Sequence, residues 1–209
     1  MTALTTVLAA FLLSTGFAQI QPPGTYIGRH RMGETFQEWL AITHYLDALP
    51  TACRSRKRDD KEWCKRLMDI RDGKRDSLLT DDGEDRSYEW EFTNGNGNLS
   101  KVTIHLPNVM KAPAWRRIDI QEQIGFLIQK YGQPTKTDTV VYQNSYGAKW
   151  DCIEVNWTMP DGTEIHALEG IGNGYGSDLR PRRELTIFFW SKETLDAMHQ
   201  QSKPNPYDH

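Results

Sequence analysis

The sequence predicts an α+β fold in which helices pack on antiparallel β meanders. Three observations carry that prediction. Segments of helical period, near 36–46, 60–72 and 118–131, precede groups of segments that alternate polar and apolar residues. The joints between alternating segments are short and turn-like, as in Asn94-Gly95-Asn96-Gly97 and Met159-Pro160-Asp161-Gly162-Thr163. Runs of helix followed by runs of strand place helices against antiparallel sheet. The order is two helices and a meander, then one helix and a meander. The domain therefore reads as two degenerate halves, 25–110 and 111–200.

The chain opens with Thr5 to Ala18, TTVLAAFLLSTGFA, an uncharged segment with an apolar centre and small residues after it. Gly16 and Ala18 occupy the small-residue positions that a signal peptidase reads, so residues 1–18 are expected to be an export signal cleaved before Gln19. No Lys or Arg precedes the apolar run, which departs from the usual signal. The rival is an uncleaved anchor, but a spanning helix needs about 20 apolar residues and this run is shorter and broken by polar ones. No Cys stands at the cleavage site to carry a lipid. The expected product is a secreted or periplasmic domain, 19–203, with a loose tail at 204–209.

Thr35-Phe36-Gln37-Glu38 is a capping box, and the helix it starts carries Phe36, Trp39, Leu40 and Leu46 towards Pro50. A second helix spans about Asp60 to Asp72, with Trp63, Leu67 and Ile70 on one face and Gly73 behind it. Strands follow around Ser77–Thr80, Tyr88-Trp90-Phe92 and Val102-Ile104-Leu106. The third helix, Ile118 to Tyr131, aligns Ile120, Ile124, Leu127, Ile128 and Tyr131 and ends at Gly132. Four strands are expected at Thr137–Gln143, Ala148–Thr158, Thr163–Leu168 and Glu184–Trp190, then a short helix after Ser191. With Gly162 in the left-handed position of its turn, Trp157 falls opposite Ile165 and Val155 opposite Ala167.

The 209 residues carry a net charge of −3, which argues against a dedicated nucleic-acid binder. Aromatic content and periodic segments argue against disorder. Cys53 and Cys64 flank a short charged loop and are expected to pair in an oxidising compartment, a link worth about 3 kcal/mol. Cys152, among apolar strand residues, is expected to be a buried free thiol, with intermolecular pairing as the alternative.

The stretch Gly28 to Leu40, GRHRMGETFQEWL, resembles the helix start of small exported bacterial α+β proteins. Examples are the outer-membrane assembly lipoproteins of the BamE type and the β-lactamase-inhibitor-like domains. Lys130-Tyr131-Gly132-Gln133-Pro134-Thr135, with Tyr142-Gln143-Asn144 and the meander around them, is similar to segments of secreted bacterial proteins. The resemblance implies a bacterial envelope or secreted protein with a binding role, and it carries over no catalytic residue and no cofactor.

The sequence contains no G-x-S-x-G, no Cys-x-x-Cys and no H-E-x-x-H, and its six His are scattered. Gly170-Ile171-Gly172-Asn173-Gly174-Tyr175-Gly176-Ser177 lacks the spacing and the following helix of a phosphate loop, so it reads as a hairpin loop open to a ligand or partner. Arg54, Arg56, Lys57 and Arg58, continued by Lys61, Lys65 and Arg66, form a basic run suited to an anionic polymer or acidic partner, or simply a solvated face. Trp150 falls in phase with Glu154 and Asn156 and is expected to be exposed, while the other Trp residues follow apolar stripes. Asp151, Glu154, Glu164 and His166 lie on or near one hairpin, as an acid–base set or as ordinary polar residues of a half-exposed sheet.

The expected function is thus a non-enzymatic binding domain. Its candidate surface is the basic run together with Trp150, Gly172, Asn173, Gly174 and Tyr175, and its partner is an envelope protein or an anionic polymer. A glycan hydrolase using carboxylates near Asp151 and Glu154 is the alternative. A structural surface protein without a defined ligand is the third reading.

Overall fold

A computed structural model of the chain describes residues 23–43, 58–81, 86–95, 97–107, 118–143, 147–175 and 181–201. Along these run Tyr26–Ile27 (β1), His30–Arg31 (β2), Phe36–Ile42 (α1), Arg58–Arg71 (α2), Ser77–Asp81 (β3), Ser87–Phe92 (β4) and Leu99–Leu106 (β5). They are followed by Ile120–Tyr131 (α3), Lys136–Gln143 (β6), Lys149–Thr158 (β7), Glu164–Tyr175 (β8), Pro181–Trp190 (β9) and Lys192–Gln201 (α4). The class is α+β. Seven strands form one antiparallel sheet in the order β3-β4-β5-β9-β8-β7-β6, and β1 and β2 form a separate small hairpin. The two anticipated halves meet where β5 pairs with β9, so they share one sheet.

Strand alternation assigns the two faces of that sheet. One row of paired residues reads Trp157, Ile165, Phe189, Val102, Trp90 and Leu78 across β7, β8, β9, β5, β4 and β3. The row beside it reads Val155, Ala167, Ile187, Ile104, Tyr88 and Thr80. Phe36, Trp39 and Leu40 of α1, Leu67 and Ile70 of α2, and Ile120 and Ile124 of α3 belong to the same buried cluster as these residues. α1, α2 and α3 therefore cover the same face. The expected register, Trp157 opposite Ile165 and Val155 opposite Ala167, is the one found. The turn joining them has Gly162 at φ +82°, and its N–H donates to the Met159 carbonyl at 2.9 Å.

The capping box forms as expected. The Glu38 N–H donates to Thr35 Oγ1 at 3.2 Å, and the Thr35 N–H donates to Glu38 Oε2 at 2.7 Å. That backbone donor, with the Thr35 hydroxyl, holds the Glu38 carboxyl below its ordinary value. The helix does not run on to Pro50 as one element. It is capped at Thr43, whose hydroxyl donates back to the Trp39 carbonyl at 2.9 Å, and residues 44–50 lie outside the described residues. At the far end of α2, a Cβ added to Gly95 would stand 2.7 Å from Gly73 Cα and 2.9 Å from the Arg75 carbonyl oxygen. Only glycine lets the β4–β5 turn approach the helix end this closely, and Gly95 also holds φ +81°.

The small β1–β2 hairpin was not foreseen. Long-range contacts hold it to the second half of the chain. The Thr25 N–H and hydroxyl donate to the Asp161 carboxylate, at 2.5 and 3.0 Å, and the Tyr131 hydroxyl donates to the Tyr26 carbonyl at 2.8 Å. Burial raises the Asp161 carboxyl, but the donors from Thr163 and Thr25 outweigh it and leave the group below its ordinary value. No helix among the described residues is long and apolar enough to cross a membrane.

Candidate functional site

The sheet divides at one end. β7 pairs with β8 from Thr158↔Glu164 to Glu154↔Leu168. Beyond that point β7 stays with β6 as far as Lys149↔Gln143, and β8 stays with β9 as far as Tyr175↔Pro181. Two hairpin arms result, and the residues at their fork complete the hydrogen bonding that the ladder no longer supplies. Glu169, buried at the fork, accepts the Ile153 backbone N–H at 2.9 Å and the Arg183 guanidinium at 2.8 Å. Arg183 also donates to the Asp151 carbonyl at 3.1 Å. A buried carboxylate is tolerated here because a cation and a backbone donor both face it.

Cys152 sits beside this pair, with its sulfur 3.7 Å from Arg183 Nη1. It is the buried free thiol the sequence led us to expect. Burial pushes its thiol up, and the Glu169 charge adds to that push against the opposing pull of Arg183. Over the fork lies the start of α3, where Asp119 caps the helix by accepting the Glu122 N–H at 3.1 Å. Ile118, Gln121, Asp151, Ile153, Glu169 and Arg183 line an open groove there.

Several expected site residues converge on this end. Trp150, half-buried and opposite Tyr142, lies on the β6–β7 arm, and Gly172, Asn173, Gly174 and Tyr175 lie on the β8–β9 arm. The expected hairpin loop starting at Gly170 is not found at Gly170 to Tyr175. These residues continue β8 to Tyr175, with a register shift between Ile171 and Tyr175. Ladder bonds are made by the main chain, so single glycines are accommodated and the irregularity is taken up as a shift.

Other expectations are not met in one place. Arg54, Arg56, Lys57 and Cys53 lie outside the described residues, as does the Arg58 side chain. The helix that Arg58 opens contacts β3, at the opposite edge of the sheet from β6 and β7. Further along α2, Arg66 is paired with Glu62 at 2.7 Å. The described basic residues Lys61, Lys65 and Arg66 therefore lie on a helix at the sheet edge opposite the β6–β7 arm. Asp151 and Glu154 are three residues apart on a regular strand, so they point to opposite faces and share no cleft. Glu154 accepts from Asn156 at 3.3 Å, and Glu164 pairs with His166 at 3.2 Å, as polar residues of the sheet face turned away from α1, α2 and α3. On that face Trp190 stacks on Phe188 at 5.3 Å and meets the edge of His166 at 4.5 Å.

Sequence reasoning missed two features. His30 and Glu34, which the sequence does not single out, are a buried pair at 2.6 Å, and the His30 ring packs 5.3 Å from Trp39 and 4.9 Å from Trp90. The edge strand β6 is the other. It is exposed at nearly every position, and Val140, Val141 and Tyr142 are 40%, 58% and 44% accessible. Thr139-Val140-Val141-Tyr142 marks β6 as a strand by residue type, but its place at the edge follows from nonlocal strand pairing. The chain matches no protein-family model, no curated protein and no solved structure.

Proposed function

We propose that this chain is a non-enzymatic binding module that works outside the cytoplasm and takes an extended polypeptide segment onto the outer edge of β6. The observation that carries the reading is the chemistry of that edge. An edge strand presents a row of main-chain donors and acceptors, and proteins normally blunt it with charge, proline or a bulge. The outer part of β6, Thr139 to Gln143, carries none of these and offers apolar side chains on both faces. The only charges on β6, Lys136 and Asp138, sit at its other end and neutralise each other at 2.5 Å. A partner strand would gain main-chain bonds for affinity and alternating side-chain contacts for selectivity. The neighbouring Trp150, paired opposite Tyr142, would widen the contact. An anionic polymer is the weaker partner, because the charged part of α2 is already partly paired with its own carboxylates.

The test is a selection of peptides of about twelve residues, roughly 40 Å when extended, from a displayed library, followed by hydrogen exchange. Selected peptides should alternate apolar residues and protect the β6 amides, and Val141→Lys should abolish that protection without lowering the melting temperature. Binders that leave β6 exchange unchanged, or protection of β6 by self-association alone, would defeat the reading.

Export is supported by the apolar start of the chain and by the Cys53/Cys64 spacing. The secreted product should begin at Gln19 and be lighter than the reduced chain by the thiol hydrogens of Cys53 and Cys64, as read by intact mass. An intact Met1 with every thiol free would overturn that part of the proposal.

A further inference from the structure

A cavity lies on the helix-covered side of the sheet, between α3 and strands β4, β5 and β9, and its volume is about 180 Å³. Ile27, Ile104 and Ile187, all buried, line it together with Tyr88 and Leu127. Close-packed interiors leave few voids larger than a water molecule. An apolar cavity of about 150 Å³ stays dry and admits benzene. Phe126 stands at the rim with half its surface exposed, so the cavity opens beside α3.

The α3 wall is a single helical stripe. Gln123, Leu127 and Lys130 are spaced four and three residues apart, so they share one face that is polar at each end and apolar between. The Gln123 side-chain amide is half-buried there and makes no hydrogen bond to another described residue. It offers both a donor and an acceptor. No carboxylate lines the cavity among the described residues, so a cation inside would have no counter-charge. An anion is no better served. Arg86 borders the cavity but has a partner of its own, and the Lys130 ammonium rests 5.0 Å from the centre of the Tyr131 ring. A neutral body with one hydroxyl keeps the cost of leaving water low, because Gln123 replaces the hydrogen bond that water gave.

From the apolar walls and the unengaged amide at their edge, we infer that this cavity binds a small neutral alcohol or phenol, with its apolar body among Ile104, Leu127 and Ile187 and its hydroxyl on Gln123. The volume limits the body to one ring or a short chain of about six to eight carbons. A long-chain lipid would not fit. Ring and chain share the same recognition chemistry, and the probes below separate them.

The test uses the full chain with para-ethylphenol, hexanol, ethylbenzene, phenylpropionate and phenylethylamine. Calorimetry gives the affinity, and amide chemical shifts give the site. Para-ethylphenol or hexanol should saturate one site, with the largest shifts at Ile104, Leu127 and Ile187, and the tighter of the two tells ring from chain. The two ionic probes should bind about tenfold more weakly or worse. Gln123→Leu should lower the affinity of para-ethylphenol relative to ethylbenzene about fivefold, the loss of one neutral hydrogen bond. Leu127→Trp, which fills the cavity from its α3 wall, should remove binding of phenol and hydrocarbon alike while thermal unfolding stays cooperative. The inference is overturned by any of three results. These are no saturable binding of either hydroxyl probe below about 1 mM, an ionic probe that binds as tightly as the phenol, or a phenol-to-ethylbenzene ratio that Gln123→Leu leaves unchanged. Failure here would not touch the β6 proposal, since β6 lies at the edge of the sheet, beyond β8 and β7.

Discussion

Trp39→Ala is expected to cost about 3–5 kcal/mol of folding stability, the range for removing a fully buried large aromatic. Trp39 is wholly buried and sits where four other rings meet. It stacks with His30, lies 6.2 Å from Phe36, and takes edge contacts from Trp90 at 5.6 Å and Phe92 at 5.9 Å. These rings come from β2, α1 and β4, so the indole is the contact through which the first helix and the small hairpin reach the sheet. The void left by alanine could not close easily, because Trp90 is held by its own bond to Thr80, 2.8 Å from Nε1 to the hydroxyl. Aromatic pairs contribute about 0.5–1.5 kcal/mol beyond their buried area, which places the expected value in the upper half of the range. Urea unfolding followed by circular dichroism measures it. A loss below about 1 kcal/mol would mean that the ring cluster is peripheral to the cooperative core.

That cluster also shows what the sequence could and could not reveal. Thr35, Glu38 and the spacing of Phe36, Trp39 and Leu40 are local signals, and they were enough to place α1 and its buried face. The turn at Gly162 was equally local, and with it the register of Trp157 and Ile165. His30 and Glu34 were different. Both are polar types that normally face water, and their burial depends on the β1–β2 turn folding back against Trp39 and Trp90. Periodicity carries no trace of that. The pairing of β5 with β9 joins residues more than eighty positions apart, such as Val102 and Phe189. The order of the strands, and hence the identity of β6 as an edge, follows from this one nonlocal choice. The candidate site was legible only in part for the same reason. Trp150 and the glycine run could each be singled out, but their placement on two arms of one fork depends on where β7 and β8 part.

The fork itself is the subject of the second large effect. Arg183→Met should destabilise the fold by about 2–4 kcal/mol, because it leaves the Glu169 carboxylate buried without its cation. Glu169 is 7% exposed while the Arg183 side chain is 37% exposed, so water screens the pair from one side and the lower part of that range is expected. The cost should be a property of the pair. Glu169→Gln keeps an acceptor for the Ile153 N–H but removes the charge, so the double variant Glu169→Gln with Arg183→Met should be more stable than Arg183→Met alone. A double-mutant cycle in urea should therefore give a coupling of about 1–2 kcal/mol. The damage should also be local. Arg183 joins the β9 arm to Glu169 on β8 and to the Asp151 carbonyl on β7, so its loss should speed hydrogen exchange at the Asp151–Ile153 amides before the β5–β9 centre is affected. Additive single effects, or uniform exchange across the whole sheet, would show that the two arms are held together by their strands alone and that the ion pair is incidental. A measured coupling would instead make Glu169 and Arg183 the clamp that sets how far the β6–β7 arm, and with it the exposed edge, stands away from the rest of the sheet.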